Sequence, residues 1–148
     1  ILYKKSLDTF LVLLYYFAST KKRGDTMAWN LNSDRPIFIQ IVERIEMDII
    51  SGKYKPGDKL PSVRDLAAEA AVNPNTMQKA FTELERTGLV FSQRTTGRFI
   101  TEDTSMIDEL KSTLAKDKIT ELLSFMQQLG FQENEILAMI GQTMKGEK

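Results

Sequence analysis

Apolar side chains recur every three or four residues in several stretches after residue 33, which is the spacing of one buried helix face. The first stretch follows Asp34, has Pro36 in its first turn and ends at Gly52. Proline followed by glycine in Lys55-Pro56-Gly57-Asp58 then predicts a type II turn, and Lys59-Leu60 fits a short strand. The inward positions of the helix are Phe38, Ile41, Val42, Ile45 and Ile49.

Two more helices follow, joined by a tight turn. Ser62 is suited to cap the first, and Asp65 at the third helical position completes an approximate capping box. Asn73 caps the second, Pro74 needs no hydrogen-bond donor at its start, and Gly88 follows its end. Their apolar positions are Val63, Leu66, Ala67 and Ala70, then Met77, Ala80, Phe81 and Leu84. This arrangement predicts a helix-turn-helix.

Two β-rich runs, 89–93 and 98–101, come next and predict a hairpin. The four residues between them, Arg94-Thr95-Thr96-Gly97, place basic side chains at its tip. A hairpin directly after a recognition helix forms a wing, which can reach along a nucleic-acid backbone or into a minor groove.

Residues 102–148 predict one long helix or two abutting ones, closed by Gly130, and then another helix after Glu133 and Asn134. Their apolar stripes either pair with a second copy of the chain or pack back onto the winged helix in a monomer. We favour pairing, because two lone helices would expose this surface to water. The apolar positions are Ile107, Leu110, Leu114, Ile119, Leu122, Leu123, Met126 and Leu129, then Ile136, Leu137, Ile140 and Met144.

The predicted fold is therefore mainly α with a small β-hairpin wing (α+β). A winged helix-turn-helix over 27–101 precedes a short helical dimerisation region over 102–148. We expect 1–26 to be an upstream or disordered extension, and a chain that begins at Met27 to fold and function. The apolar run 10–18 is too short to cross a bilayer and is followed by a poor signal-peptidase site, so no membrane partner is expected.

Composition narrows the possible functions. The 148 residues include no cysteine and no histidine, which excludes thiolate catalysis, cysteine-ligated zinc and the usual general base. An enzyme is thus disfavoured, and no cofactor, metal or catalytic residue is predicted. The net charge of +0 conceals a gradient: 27–101 has ten basic against nine acidic groups, and 102–148 has five against nine. Contact with a polyanion must therefore come from basic side chains clustered in the middle segment.

The polar face of the second motif helix suits nucleic-acid recognition. It presents Asn75, Lys79, Thr82 and Arg86, with Thr76 and Gln78 beside them near the N-terminus. Asparagine and glutamine can pair with adenine edges, and lysine can meet guanine or phosphate. The alternative is that any surface helix has a polar face.

Three strings stand out in this segment: Lys55-Pro56-Gly57-Asp58-Lys59-Leu60-Pro61-Ser62-Val63-Arg64-Asp65-Leu66-Ala67, then Asn73-Pro74-Asn75-Thr76 with Ala80 and Leu84, then Gly88-Leu89-Val90 with Gly97-Arg98-Phe99-Ile100. Together they closely resemble the GntR family of bacterial winged-helix transcription regulators. The resemblance spans roughly 34–101, and the short helical tail is similar to the YtrA-like branch of that family.

The resemblance implies a set of DNA-contacting residues: Arg64 on the first motif helix, Asn75, Thr76, Gln78 and Lys79 on the recognition helix, and Arg94, Thr95, Gly97 and Arg98 on the wing. Arginines suit phosphate clamping, and the recognition-helix residues suit base reading. The alternatives are a surface ion pair of Arg64 with Asp65 or Glu69, and simple solubility of the hairpin for its arginines. Tyr54 and Phe99 are interpreted as core residues.

Two departures from the family pattern affect this assignment. Many members have arginine where this chain has Pro74, which removes one contact. Many have glycine where it has Thr95, which predicts a stiffer or reshaped wing because threonine resists positive φ.

The function we expect is a cytoplasmic bacterial regulator, favoured as a repressor, that binds a palindrome-like operator in double-stranded DNA as a homodimer. The YtrA-like resemblance implies control of transporter genes. One alternative is a winged helix used for protein interaction. The other is a sensor with a small-molecule effector at the dimer interface.

Overall fold

The computed structural model describes residues 29–146. In this range the chain forms five helices and one two-stranded antiparallel sheet, which confirms the mainly α fold with a hairpin wing. The expectations for 1–26, including the start at Met27, lie outside the described residues. The elements are α1 (Ile37–Ile50), α2 (Val63–Ala70), α3 (Pro74–Arg86), β1 (Val90–Gln93), β2 (Gly97–Ile100), α4 (Thr104–Gln128) and α5 (Glu133–Met144).

The turn after α1 has the predicted chemistry. The backbone N–H of Asp58 donates to the Lys55 carbonyl at 3.0 Å, and Gly57 adopts φ +82°, as a type II turn requires. The predicted strand at 59–60 is reduced to a single bridge between Lys59 and Phe99. It cannot continue as a ladder, since Pro61 has no N–H to donate.

Both helices of the motif are capped by the predicted residues, but the Asp65 carboxylate does not accept from the Ser62 N–H, so the capping box is not completed. Ser62 Oγ accepts from the Asp65 N–H at 3.1 Å, and Asn73 Oδ1 accepts from the Asn75 N–H at 2.8 Å. Between the helices, Ala71 adopts the left-handed region at φ 56°. That residue reverses the chain and lets α3 pack against both α1 and α2.

One buried core unites the winged helix. Its members come from the N-terminal segment, α1, α2, α3 and the hairpin, and the ring of Tyr54 packs against it, as predicted. Burial raises the pKa of Tyr54 to about 12. The core residues are Trp29, Ile41, Ile45, Ile49, Leu60, Leu66, Ala67, Ala70, Met77, Ala80, Phe81, Leu84, Leu89, Val90 and Ile100.

The interpretation of Phe99 as a core residue was wrong. In the hairpin register Val90 lies opposite Ile100 and both face the core, so their neighbours Phe91 and Phe99 face outward. The two outward rings stack on each other with centroids 5.9 Å apart.

The C-terminal part is one continuous helix, α4, followed by α5. Asp103 Oδ1 caps α4 by accepting from the Ser105 and Met106 N–H groups. Ile107 and Leu110 in its first turns pack against the core, but α4 contains no buried residue. Within residues 29–146, no helix combines the length and the apolar character needed to cross a membrane.

Candidate nucleic-acid interface

The third helix separates an apolar face from a polar one. Met77, Ala80, Phe81 and Leu84 are fully buried against the rest of the winged helix. Asn75, Gln78 and Lys79 are exposed on the other side. Packing of the first face therefore fixes the direction in which the predicted base-reading side chains point.

A groove of about 800 Å³ gathers much of the predicted site. Arg64, Gln78, Thr95, Gly97 and Arg98 all line it, so α2, α3 and the hairpin tip share one concave surface. Packing of the hairpin against α3 brings these parts together across more than thirty residues of sequence.

The remaining predicted residues lie beside this groove rather than in it. Asn75 and Lys79 are exposed on α3, and Arg94 is exposed at the hairpin tip. Thr76 is only half-exposed and lines a separate groove of about 380 Å³ that also includes Trp29 and Val72.

Arg64 does not form the surface ion pair that was its alternative interpretation. It is exposed, and within residues 29–146 it forms no ion pair with Asp65 or Glu69. Glu69 instead accepts a hydrogen bond from Trp29 Nε1 at 3.1 Å. The Arg64 guanidinium is accordingly presented to solvent at the edge of the groove.

Gln78 and Lys79 on the exposed face of α3 make only weak local contacts. Gln78 Nε2 donates to Thr82 Oγ1 at 3.4 Å, and Lys79 Nζ lies 4.1 Å from the ring centroid of Phe38. A 3.4 Å contact at an exposed site contributes little, so a nucleic-acid partner can replace it.

Arg98 differs from the other predicted residues, because its side chain is engaged within the protein. Its Nε donates to Glu85 Oε1 of α3, and its guanidinium carbon lies 5.2 Å from the ring centroid of Phe81. Ser92 Oγ donates to the same Glu85 oxygen at 3.0 Å. Glu85 is thereby linked to both strands of the wing.

The acidic residues of α3 are neutralised locally. Glu83 accepts from the guanidinium of Arg86, a hydrogen bond that lowers the pKa of the Glu83 carboxyl. With Glu85 paired to Arg98, both carboxylates near the C-terminal end of α3 have a cationic partner. These two carboxylates therefore do not oppose the exposed cations of the groove, and the acidic residue that lines the groove itself is Asp65.

Thr95 lies at the tip of the wing in a backbone conformation that strains it. Thr95 adopts φ +69°, the left-handed conformation that threonine disfavours, and its Oγ1 donates to the Arg94 carbonyl at 2.6 Å. The hairpin still closes, with Gln93 opposite Gly97. The tip thus holds a strained residue at the position where the family pattern implies glycine.

Lys59 is a groove residue that the sequence analysis missed. It is exposed and lines the groove, and its Cε lies 2.9 Å from where a Cβ on Gly97 would be. Glycine is favoured at position 97 because the backbone there adopts φ +121°, which L side chains rarely adopt, whereas the flexible Lys59 side chain could move aside for a larger residue. A basic residue directly after the Pro-Gly turn was the available signal. Elsewhere, residues 29–146 contain no group of three or more carboxylate, imidazole or thiol side chains placed to hold a metal.

The chain has similar relatives among known proteins. Residues 39–100 match the family described as bacterial regulatory proteins, gntR family. The uncharacterized HTH-type transcriptional regulator YhcF of Bacillus subtilis is 40% identical over 105 residues, which cover 71% of this chain and 87% of that protein. The HTH-type transcriptional repressor YtrA of Bacillus subtilis is 41% identical over 97 residues, covering 66% and 70%.

Solved structures agree with these relatives. A GntR family transcriptional regulator from Listeria monocytogenes is 39% identical and superposes with a TM-score of 0.72 over 76% of this chain and 98% of that one. A transcriptional regulator from Oenococcus oeni is 25% identical, with a TM-score of 0.67 over 80% and 98%.

Fold, groove and relatives together define the class: a bacterial winged helix-turn-helix regulator that binds DNA to control transcription. Within this class, the short helical tail and the similarity to YtrA indicate the YtrA-like branch. The chain belongs to the GntR family.

Proposed function

We propose that this regulator represses transcription in the bacterial cytoplasm by binding a palindrome-like operator as a homodimer. The observation that carries the proposal is the groove, in which exposed Arg64 and Gln78 meet the hairpin tip on one surface. Repression is supported by the similarity to YtrA, which is named a repressor. A protein seated on promoter DNA excludes polymerase without any catalytic step.

In this proposal the N-terminal half of α3 enters a major groove. Asn75, Gln78 and Lys79 read base edges, because amide groups and lysine match the donors and acceptors displayed there. Arg64 and Arg94 bind phosphates on either side of the recognition helix. Thr76, Thr95 and Gly97 bring backbone and small side chains close to the same strands.

The dimer would form through the tail, since several of its large apolar side chains lack cover within the described chain, whereas Ile136 is buried. Ile119 is 55% exposed, Phe125 58%, Leu129 57% and Leu137 64%. Pairing with a second copy removes this surface from water and relates two recognition helices by a two-fold axis. The operator then contains two inverted half-sites centred one helical turn of DNA, or a multiple of it, apart.

Selection of bound fragments from a random duplex library tests this proposal. The expected product is an inverted repeat, recovered by the full chain. Enrichment of a single unrepeated site would contradict the dimer, and the absence of any enriched sequence would contradict specific recognition. The YtrA-like resemblance further predicts that the enriched site occurs upstream of transporter genes.

Base reading and phosphate binding are separated by two variants measured on operator and random duplexes at several salt concentrations. Gln78→Ala should reduce discrimination by about 1–3 kcal/mol while leaving random binding unchanged. Arg94→Ala should weaken both and flatten the salt slope by about 1. Gln128→Ala, an exposed glutamine on α4, is the matched control. Equal loss on both duplexes for Gln78→Ala would argue against base reading.

The alternative of a winged helix used for protein interaction is tested by a gel shift. It predicts no saturable, salt-sensitive binding to duplex DNA.

The alternative of a small-molecule effector at the dimer interface is tested by thermal unfolding. It predicts a rise in melting temperature when the dimer is screened against metabolites, and a blank screen would remove the effector from the proposal.

A further inference from the structure

The joint between the wing and α3 consists of one carboxylate shared by two strands. Glu85 Oε1 on α3 accepts from Ser92 Oγ on β1 and from Arg98 Nε on β2. These three residues are the polar contacts that tie the outer part of the hairpin to the helix. The buried pair Val90 and Ile100 anchors only its base.

Burial and stacking distinguish this ion pair from an ordinary surface pair. The side chains of Arg98 and Glu85 are 26% and 31% exposed, whereas those of Arg86 and Glu83, one turn away, are 69% and 35% exposed. Arg98 also lies over the face of Phe81, a fully buried core ring. A guanidinium held by a carboxylate and a ring face is costly to withdraw, because its partner would remain unpaired in a partly desolvated place.

We propose that Glu85 is a positioning residue, and that Arg98 stays bound to it on the operator instead of contacting phosphate. The Glu85, Ser92 and Arg98 cluster sets the angle between the wing and the recognition helix. This inference rests on the proposed DNA binding and reassigns Arg98, which the family resemblance placed among the DNA contacts.

A fixed angle between the wing and α3 matters because both must contact the same DNA at once. The hairpin has four-residue strands, and Arg94 at its tip must meet a phosphate while α3 lies in the groove. A wing that swings freely loses that freedom on binding, and ordering it weakens the complex. A wing that is already fixed avoids this cost.

The test measures affinity for the selected operator by fluorescence anisotropy at several salt concentrations. A side chain that neutralises a phosphate contributes about 0.9 to the salt slope of duplex binding, whereas a side chain that only positions others contributes none. Arg98→Gln and Glu85→Gln should each weaken operator binding by about tenfold with the slope unchanged, and the double variant should be no weaker than either single one. Arg94→Gln is the control, and its salt slope should fall by about 0.9.

Two outcomes would overturn the inference. One is a fall in slope for Arg98→Gln that matches Arg94→Gln, since that identifies a phosphate contact. The other is tighter operator binding by Glu85→Gln, since that means the carboxylate competes with DNA for Arg98.

Arg98→Lys keeps the cluster testable if Glu85→Gln does not fold, which thermal unfolding would reveal. Lysine retains a positive charge for phosphate but lacks the planar guanidinium that spans Glu85 and Phe81. The expected result is weaker binding with an unchanged slope, and wild-type affinity would contradict the positioning role. Absence of operator preference in the wild-type chain would instead count against the proposed function itself.

Discussion

The helices of the winged helix, residues 29–101, separate apolar from polar side chains more sharply than those of the helical tail, residues 102–146, and the two regions also bury their apolar side chains differently. Every side chain of the core cluster comes from residues 29–100, whereas α4, the longest helix, contains no buried residue. The two regions teach that periodicity reveals an apolar face without revealing what covers it. In the winged helix the cover comes from the same chain, and in most of the tail no part of the described chain supplies it.

The change from packed to exposed apolar side chains occurs within α4. Ile107 and Leu110 pack against the core, which is the monomeric alternative for the tail stripes. Further along α4 the side chains of Ile119, Leu122, Leu123 and Phe125 are exposed, which is what the dimer requires, although Ile136 of α5 is buried. One helix thus serves both regions, and substitutions along it can separate their contributions.

The largest expected effect on stability comes from removing a large buried side chain from the winged-helix core. Phe81→Ala removes a fully buried ring and should lower the free energy of unfolding by about 3–5 kcal/mol. Phe125→Ala makes the same chemical change at a ring that is 58% exposed in the tail, and should change the unfolding of the winged helix by less than about 0.5 kcal/mol. Urea denaturation followed by circular dichroism compares them. Equal losses would abolish the distinction between the regions.

The next effect concerns assembly rather than folding. Phe125→Asp should weaken self-association by about 2 kcal/mol or more, because it places a charge in the proposed contact. Ser124→Asp, on an exposed polar position of the same helix, is the control and should leave association intact. Sedimentation at micromolar concentration measures both. A wild-type chain that sediments as a monomer would refute the role given to the tail.

A smaller effect is expected at the turn of the motif. Asn73→Ala deletes the cap of α3 and should cost about 1 kcal/mol of stability. Asn75→Ala, two residues further along, removes an exposed amide without a capping role, so it should spare stability and reduce operator binding. Thermal unfolding beside anisotropy distinguishes the two, and a stable Asn73→Ala variant would show that α3 does not depend on its cap.

The smallest effect is expected at the wing tip. Thr95→Gly relieves a left-handed conformation that costs about 1–2 kcal/mol. It also raises the conformational entropy of the unfolded chain, which lowers the free energy of unfolding by about 0.4–1 kcal/mol. The net result should be a stability gain of roughly 0.5 kcal/mol, read from the denaturation midpoint. A loss of stability would mean that the hydrogen bond from Thr95 to Arg94 outweighs the strain.

The sequence predicted the local features of the fold well, because each rests on chemistry within four residues. The caps at Ser62 and Asn73 and the turn at Gly57 are of this kind. Phe99 was misplaced because both hairpin strands carry apolar residues on both faces, so alternation alone does not choose which face is inward. Only the register of Val90 with Ile100 makes the choice.

The site was predicted as a set of residue types, whereas the contacts among them were not. Arg98 and Glu85 are thirteen positions apart and meet only because the hairpin folds back along α3. Lys59 and Gly97 approach through an isolated bridge that no local pattern encodes. Whether the remaining predicted residues touch DNA stays a prediction that the proposed variants test.

The exposed apolar stripe of α4 affects how promoter occupancy depends on the amount of this regulator. If two weakly associated chains must meet before either recognition helix can hold its half-site firmly, promoter occupancy rises with the square of the amount of protein while monomers predominate. A modest change in synthesis then yields a steep change in transcription. The apolar side chains from Ile119 to Leu129 set the protein concentration at which dimers begin to predominate.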